Sequence, residues 1–84
     1  MKRQLTLDQL TRGTVAKIDK ISRASRSCRQ KLLAMGLTPG VRIRKERVAP
    51  LGDPIQFVLR GFHLSLRQAE AQQITITIDD ENSK

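Results

Sequence analysis

Aromatic residues are almost missing from this chain: tryptophan and tyrosine do not occur, and Phe57 and Phe62 are the only phenylalanines among 84 residues. Binding of single-stranded nucleic acid draws on aromatic platforms that stack bases, and Phe57, which alternates with Ile55 and Leu59, reads as core. That leaves Phe62, and one ring makes a poor platform. Cysteine is as scarce. Cys28 stands alone, so no internal disulfide can form and stability has to come from packing, which fits a reducing compartment and makes the cytoplasm the expected location. The longest run without a charged residue is the ten residues from Leu32 to Val41, well short of the roughly 20 apolar residues of a membrane helix. At the start, Gln4, Thr6, Asp8 and Gln9 interrupt what would have to be the apolar core of an export signal. The phosphate-loop spacing G-x-x-x-x-G-K-[ST] is absent too, as is any glycine-rich turn between a strand and a helix. No nucleotide site is visible.

What is abundant is positive charge. Sixteen lysines and arginines face eight acids, a formal net charge of +8, and between Arg23 and Arg47 eight basic residues meet one acid, Glu46. Such an excess attracts nucleic acid, anionic lipid or an acidic protein surface without choosing among them. For catalysis, Cys28 and His63 are the one conceivable nucleophile and base. Cys28 falls on the apolar stripe of a helix, where a small buried hydrophobe is the expected role, and no enzyme is inferred. A metal site built from Cys28, His63 and scattered carboxylates would need a ligand spacing that is not there, so neither metal nor cofactor is assigned.

The length suits one small domain, residues 1–84 with a core over about 5–78 and a polar tail at 79–84; a chain of this size buries only about 60 to 65 per cent of its unfolded surface. Thr6 with Gln9 has the spacing of a capping box and predicts one helical turn ahead of a strand over residues 14–21. A helix follows, capped by Ser25, with Cys28, Leu32 and Met35 on its inner stripe and Gly36 as its left-handed stop. Pro39 and Gly40 turn the chain into a strand in which Val41 and Ile43 alternate with Arg42 and Arg44. The alternation slips near Lys45, predicting a bulge. Ile55, Phe57 and Leu59 form the next strand, Arg60 and Gly61 close a hairpin to "FHLSL", and Ser65 with Gln68 suggests a second capping box. "ITITI" ends the pattern, with Ile74, Ile76 and Ile78 inward. About five short strands, one inserted helix and helical turns as connectors make the expected class mainly β, a small barrel.

Two stretches stand out as candidate partner-binding surfaces. The loop Ala49 to Pro54 is stiff: Pro50 fixes φ, Gly52 permits a positive one, Pro54 restricts Asp53, and the Asp53 carboxylate can accept from N–H groups of the loop. Such a loop, Pro50, Leu51, Gly52, Asp53 and Pro54, can simply turn a barrel corner, and it would also lose little entropy on docking. On the helix, Leu33 lies well off the inner stripe with Arg26, Arg29 and Gln30 near it. A leucine among arginines suits an interface, although a broader buried stripe would make Leu33 core.

Taken in order, "RQKLLAMGLTPG", "VRIRKERVAPLGDPIQFVLRG" and "LSLRQAEAQQI" closely resemble the FeoA family, over about Leu5 to Ile78. The resemblance implies an SH3-like barrel that serves as a cytoplasmic accessory of ferrous iron uptake. It implies as partner FeoB, a ferrous iron permease with a cytoplasmic GTPase domain that would recruit the chain to the inner face of the membrane, and other Feo accessory proteins as further partners. Permeation and GTP hydrolysis would then belong to the partner. The same barrel also resembles the C-terminal domain of DtxR-like metal-dependent repressors, so the alternative is a nucleic-acid-binding or metal-responsive regulatory barrel. The helix-turn-helix that precedes that domain in those repressors has no room here.

Overall fold

The computed structural model describes residues 2–21 and 26–79. Its organising feature is one antiparallel sheet of six strands in the order β1-β6-β2-β3-β4-β5. These are β1 (Lys2–Thr6), β2 (Val15–Ile21), β3 (Arg42–Val48), β4 (Ile55–Leu59), β5 (Phe62–Leu66) and β6 (Ile74–Asp79). Helix α1 (Arg26–Ala34) lies between β2 and β3, α2 (Gln68–Ala71) joins β5 to β6, and a single 3-10 turn, Leu7–Gln9, follows β1. The expected mainly β class holds.

Two bulges bend the sheet towards a barrel. The β2–β6 register shifts between Ile18 and Lys20, and the β3–β4 register between Lys45 and Arg47, where the alternation slips in the sequence. Each leaves one residue unpaired, Asp19 and Glu46, and increases the local twist. Among the described residues no ladder joins β5 back to β1, so the sheet is open along that seam.

Alternation decides which side chains fill the interior. Ile43, Ile55, Phe57, Leu59, Ile74, Ile76 and Ile78 point inward from their strands, joined by Leu7 and Leu10 from the 3-10 segment and Leu32 and Leu37 from around α1. No polar or charged side chain is buried among the described residues. Helix α1 ends as its glycine predicts: Gly36 has φ +96°, its N–H donates to the Leu33 carbonyl at 3.0 Å, and the Leu37 N–H donates to the Leu32 carbonyl at 3.1 Å. That is a Schellman motif, and its two flanking leucines, Leu32 and Leu37, are both fully buried. Thr38 to Val41 forms the expected turn, with Gly40 at φ +90° and the Val41 N–H donating to the Thr38 carbonyl. The Ser25 cap lies outside the described residues.

Three expectations need correction. There are six strands rather than about five, because β1 pairs with β6 through Arg3↔Ile78 and Leu5↔Ile76; its stability comes from a ladder to the far end of the chain, which local alternation cannot reveal. Asp79, expected in the polar tail, is the last residue of β6, opposite Lys2. The N-cap of α2 is Arg67, not Ser65: Ser65 is held in β5 opposite Gln56, and the Arg67 N–H donates to Glu70 Oε1 at 2.9 Å.

Candidate partner-binding surfaces

The β3–β4 loop is closed by its own backbone. The Ala49 N–H donates to the Pro54 carbonyl at 3.0 Å and the Gly52 N–H to the Ala49 carbonyl at 2.8 Å, with Gly52 at φ +89° and a cis Asp53–Pro54 peptide. At its tip Leu51 is 96 % exposed, and Val48 at the end of β3 is 41 % exposed. A loop held from within thus displays an apolar side chain to water.

Asp53 does something other than the sequence suggests. Its carboxylate leaves the loop and accepts from the Gln68 N–H, Oδ1 to N 2.9 Å, at the first residue of α2. There it satisfies one of the free donors of a helix start and faces the positive end of a short dipole. A donor fifteen residues away from Asp53 is found by folding, and no local spacing announces it.

Helix α1 presents Arg26, Arg29, Gln30 and Leu33 on its outer face, and all are exposed, Leu33 at 38 %. The inner stripe behaves as expected, with Leu32 fully buried and Cys28 and Met35 packed against the core while still partly exposed. Arg29 is already engaged: its guanidinium donates to the Ile21 carbonyl at 3.0 Å, tying α1 to the end of β2. Lys31 reaches α2, placing Nζ 2.5 Å from Glu70 Oε2. The Glu70 carboxyl is lowered below its ordinary pKa by the Lys31 hydrogen bond first and by the Arg67 N–H second, and Lys31 is raised by the same Glu70 bond.

The two candidate surfaces therefore meet at one element. Four residues of α2 take a carboxylate from the loop at Gln68 and an ammonium from α1 at Glu70, so loop and helix flank are fixed against a common anchor. Nothing in the sequence marks "RQAEA" as that anchor, since each partner comes from a distant segment.

Of the two residues weighed for catalysis, Cys28 packs against the core from α1 and His63 lies in β5. His63 Nδ1 lies 3.0 Å from Glu46 Oε1, on the bulge of β3, and the Glu46 carbonyl accepts from Arg12 Nε at 2.9 Å. Among the described residues no group of three or more His, Cys, Asp or Glu is placed to hold a metal ion. No helix among them is long and apolar enough to cross a membrane.

Comparison with known proteins adds the family. The model of the FeoA domain matches residues 5–78. The chain belongs to the FeoA domain family. Among solved structures, a FeoA-like protein from Clostridium acetobutylicum is 35% identical with a TM-score of 0.82, over 93% of this FeoA chain and 90% of that one. The FeoA of Stenotrophomonas maltophilia, solved with zinc and described as a prokaryotic SH3 domain protein, is 22% identical with a TM-score of 0.76, over 92% of each chain. A manganese-dependent transcriptional repressor shares the fold with a TM-score of 0.83 at 16% identity, over 94% of this chain and 44% of that one. The first carries family information and the last two carry the fold, which is SH3-like.

Proposed function

We propose that this FeoA-family chain is a cytoplasmic accessory of ferrous iron uptake that works by binding protein, with the GTPase domain of the FeoB permease as its partner and the loop and helix flank as the contact. Family membership supplies the pathway. The observation that carries the mode of action is Leu51, 96 % exposed at the tip of a loop that is closed by its own hydrogen bonds and anchored to α2 through Asp53. An exposed apolar side chain on a pre-ordered loop contributes contact area at little entropic cost, which is what a docking surface requires and a mere chain reversal does not. Leu33, with Arg26 and Gln30 beside it, supplies a second apolar anchor with a polar rim. Arg29 enters as the residue that holds the helix in place.

The test is capture of the permease's cytoplasmic domain by this protein, with and without GTP. Retention of that domain, reduced by Leu51→Ser and by Leu33→Ala in folded protein, is expected. Retention unchanged in both variants removes these surfaces, and no retention in either nucleotide state removes the partner.

Two observations favour a second reading. The repressor that shares this fold and the net charge of +8 both suit a regulatory barrel that touches nucleic acid. A salt titration on a short duplex separates the two, because phosphate binding weakens steeply with salt while a specific apolar contact does not. Against this reading stands the aromatic inventory: Phe57 is fully buried and Phe62 is left alone.

A further inference from the structure

The open seam of the sheet leaves two edges, and they are unlike. The edge strand β1 carries Arg3, a charge of the kind that blocks strand addition, whereas β5, Phe62–Leu66, has no Lys, Arg, Asp or Glu in its five residues. Its hydrogen-bonding register follows from the turn. Arg60 and Gly61 have φ +53° and +83°, a two-residue type I′ turn, so Leu59 and Phe62 form the closing hydrogen-bonded pair and alternation along the ladder turns the N–H and C=O groups of His63 and Ser65 outward. Among the described residues no strand pairs with that side. The core-facing side chains of β5 run from Leu66, buried, through Leu64, partly buried, to Phe62, which is 72 % exposed. The inner face of β5 therefore ends, past Leu66 and Leu64, in a phenyl ring that is largely uncovered by the described residues.

Charge selects what fits. Arg60 stands in the turn that opens β5, and Arg44 shares a cross-strand row with Val58 and His63; among the described residues neither makes an ion pair. Glu46, on the same strand as Arg44, is taken by His63, while Asp53 and Glu70 lie at the α2 end of β5 and are held by the Gln68 N–H and by Lys31. At the other end of β5, Arg67 lies close enough to Glu70 to lower its pKa, so the unmatched positive charge is at the Arg60 end. A second copy of this chain is a poor occupant, because two β5 strands paired antiparallel about Leu64 set Arg60 opposite Gln68 and bring no acid to it.

We propose that the β5 edge binds an extended segment of a partner protein by antiparallel strand addition, a segment apolar at alternate positions and acidic at its C-terminal end. Its alternate apolar residues would cover Leu64 and Phe62, its backbone would pair with His63 and Ser65, and its acids would reach Arg60. This rests on the reading of the chain as a protein-binding module and is independent of which protein is bound, so it can fail while permease binding through the loop and helix stands.

The experiment is a titration of isotope-labelled protein with the peptide acetyl-Val-Thr-Val-Thr-Val-Asp-Asp-amide, followed by amide NMR. Expected are shifts and slowed hydrogen exchange at His63 and Ser65, and binding about tenfold weaker when both threonines are N-methylated, since each loses one backbone bond to β5. N-methylation of the central valine, whose N–H faces away, should leave binding unchanged. Replacing the terminal acids by lysines, or Arg60→Glu in the protein, should weaken it about fivefold. The proposal is overturned if shifts fall elsewhere, if the N-methyl patterns act alike, if the lysine peptide binds equally, or if β5 is instead occupied by a second copy, seen as a concentration-dependent dimer that the peptide does not dissociate. The peptide arms need no protein variant and so do not depend on one folding.

Discussion

At the scale of single residues, neighbours in sequence have opposite fates, and the difference can be measured. Leu32 is fully buried and Leu33 is 38 % exposed. Leu32→Ala should cost about 2 to 5 kcal/mol of unfolding free energy, the transfer loss plus a cavity, and Leu33→Ala less than about 1 kcal/mol. Denaturant unfolding of both variants checks the pair, and a Leu33→Ala cost as large as that of Leu32→Ala would return Leu33 to the core. The sequence showed one side of this contrast: helical spacing puts Leu32 with Cys28 and Met35 and leaves Leu33 off their stripe, but a broader buried stripe stayed open until the burial was seen. Asp53 was only half legible. Its acceptor role follows from a carboxylate in a stiff loop, but the donor is the Gln68 N–H, fixed by tertiary packing. Asp53→Ala should cost about 1 to 2 kcal/mol by uncapping α2, and Asp53→Asn less, since the amide oxygen can still accept. The unfolding midpoints of the two variants test this, and equal midpoints in Ala and wild-type protein would mean that the cap contributes nothing.

At the scale of elements, what the sequence disclosed was whatever is settled within a few residues. The alternation of β4 and β6, the Arg60-Gly61 hairpin, the slip at Lys45 that became the Glu46 bulge, and the glycine stop of α1 are all local. Strand β1 and the anchoring role of α2 were hidden because both depend on partners from distant segments, β1 on β6 and α2 on the loop and on Lys31. Ser65 illustrates the competition: its spacing to Gln68 suits a cap, yet its ladder position opposite Gln56 keeps it in β5 and the cap moves to Arg67. The stop of α1 is the element on which a test bears most directly. Gly36 has φ +96°, and a Cβ there would lie 3.2 Å from Leu59 Cδ2, so a side chain meets both a left-handed backbone and the end of β4. Gly36→Ala should cost about 1 to 2 kcal/mol from the backbone alone, with the Leu59 contact adding to it. A midpoint in denaturant unchanged from wild type would show that α1 can end without its Schellman motif.

At the scale of the whole molecule, stability and charge are coupled through a few carboxylates. Asp19, at the β2 bulge, accepts from the Thr77 hydroxyl on β6 and from Gln4 Nε2 on β1 at 3.1 Å, so one side chain fastens three strands. The Thr77 bond is the main reason its pKa lies below the ordinary 3.8, with burial opposing and Gln4 assisting. Glu70 is lowered as well, chiefly by Lys31. A carboxyl that is more acidic in the folded chain than in the unfolded one contributes stability that is full above its unfolded pKa, about 4, and is lost as pH falls through the folded value. The thermal midpoint should therefore hold down to about pH 5 and fall below it. Acid also removes the eight negative charges that offset sixteen positive ones, and the self-repulsion that results lowers the midpoint in the same direction. Salt separates the two contributions. At 0.1 M the Debye length is about 10 Å, so added salt screens repulsion across the surface while leaving the short Asp19 contacts in place in the folded state. With repulsion screened, the remaining acid dependence should be visibly shallower in Asp19→Asn, whose amide has no charge to lose, and shallower again when Glu70→Gln is added. Wild type and Asp19→Asn with the same acid slope in salt would show that the bulge carboxylate does not couple the strands to pH, and that acid acts on this basic chain through charge density alone.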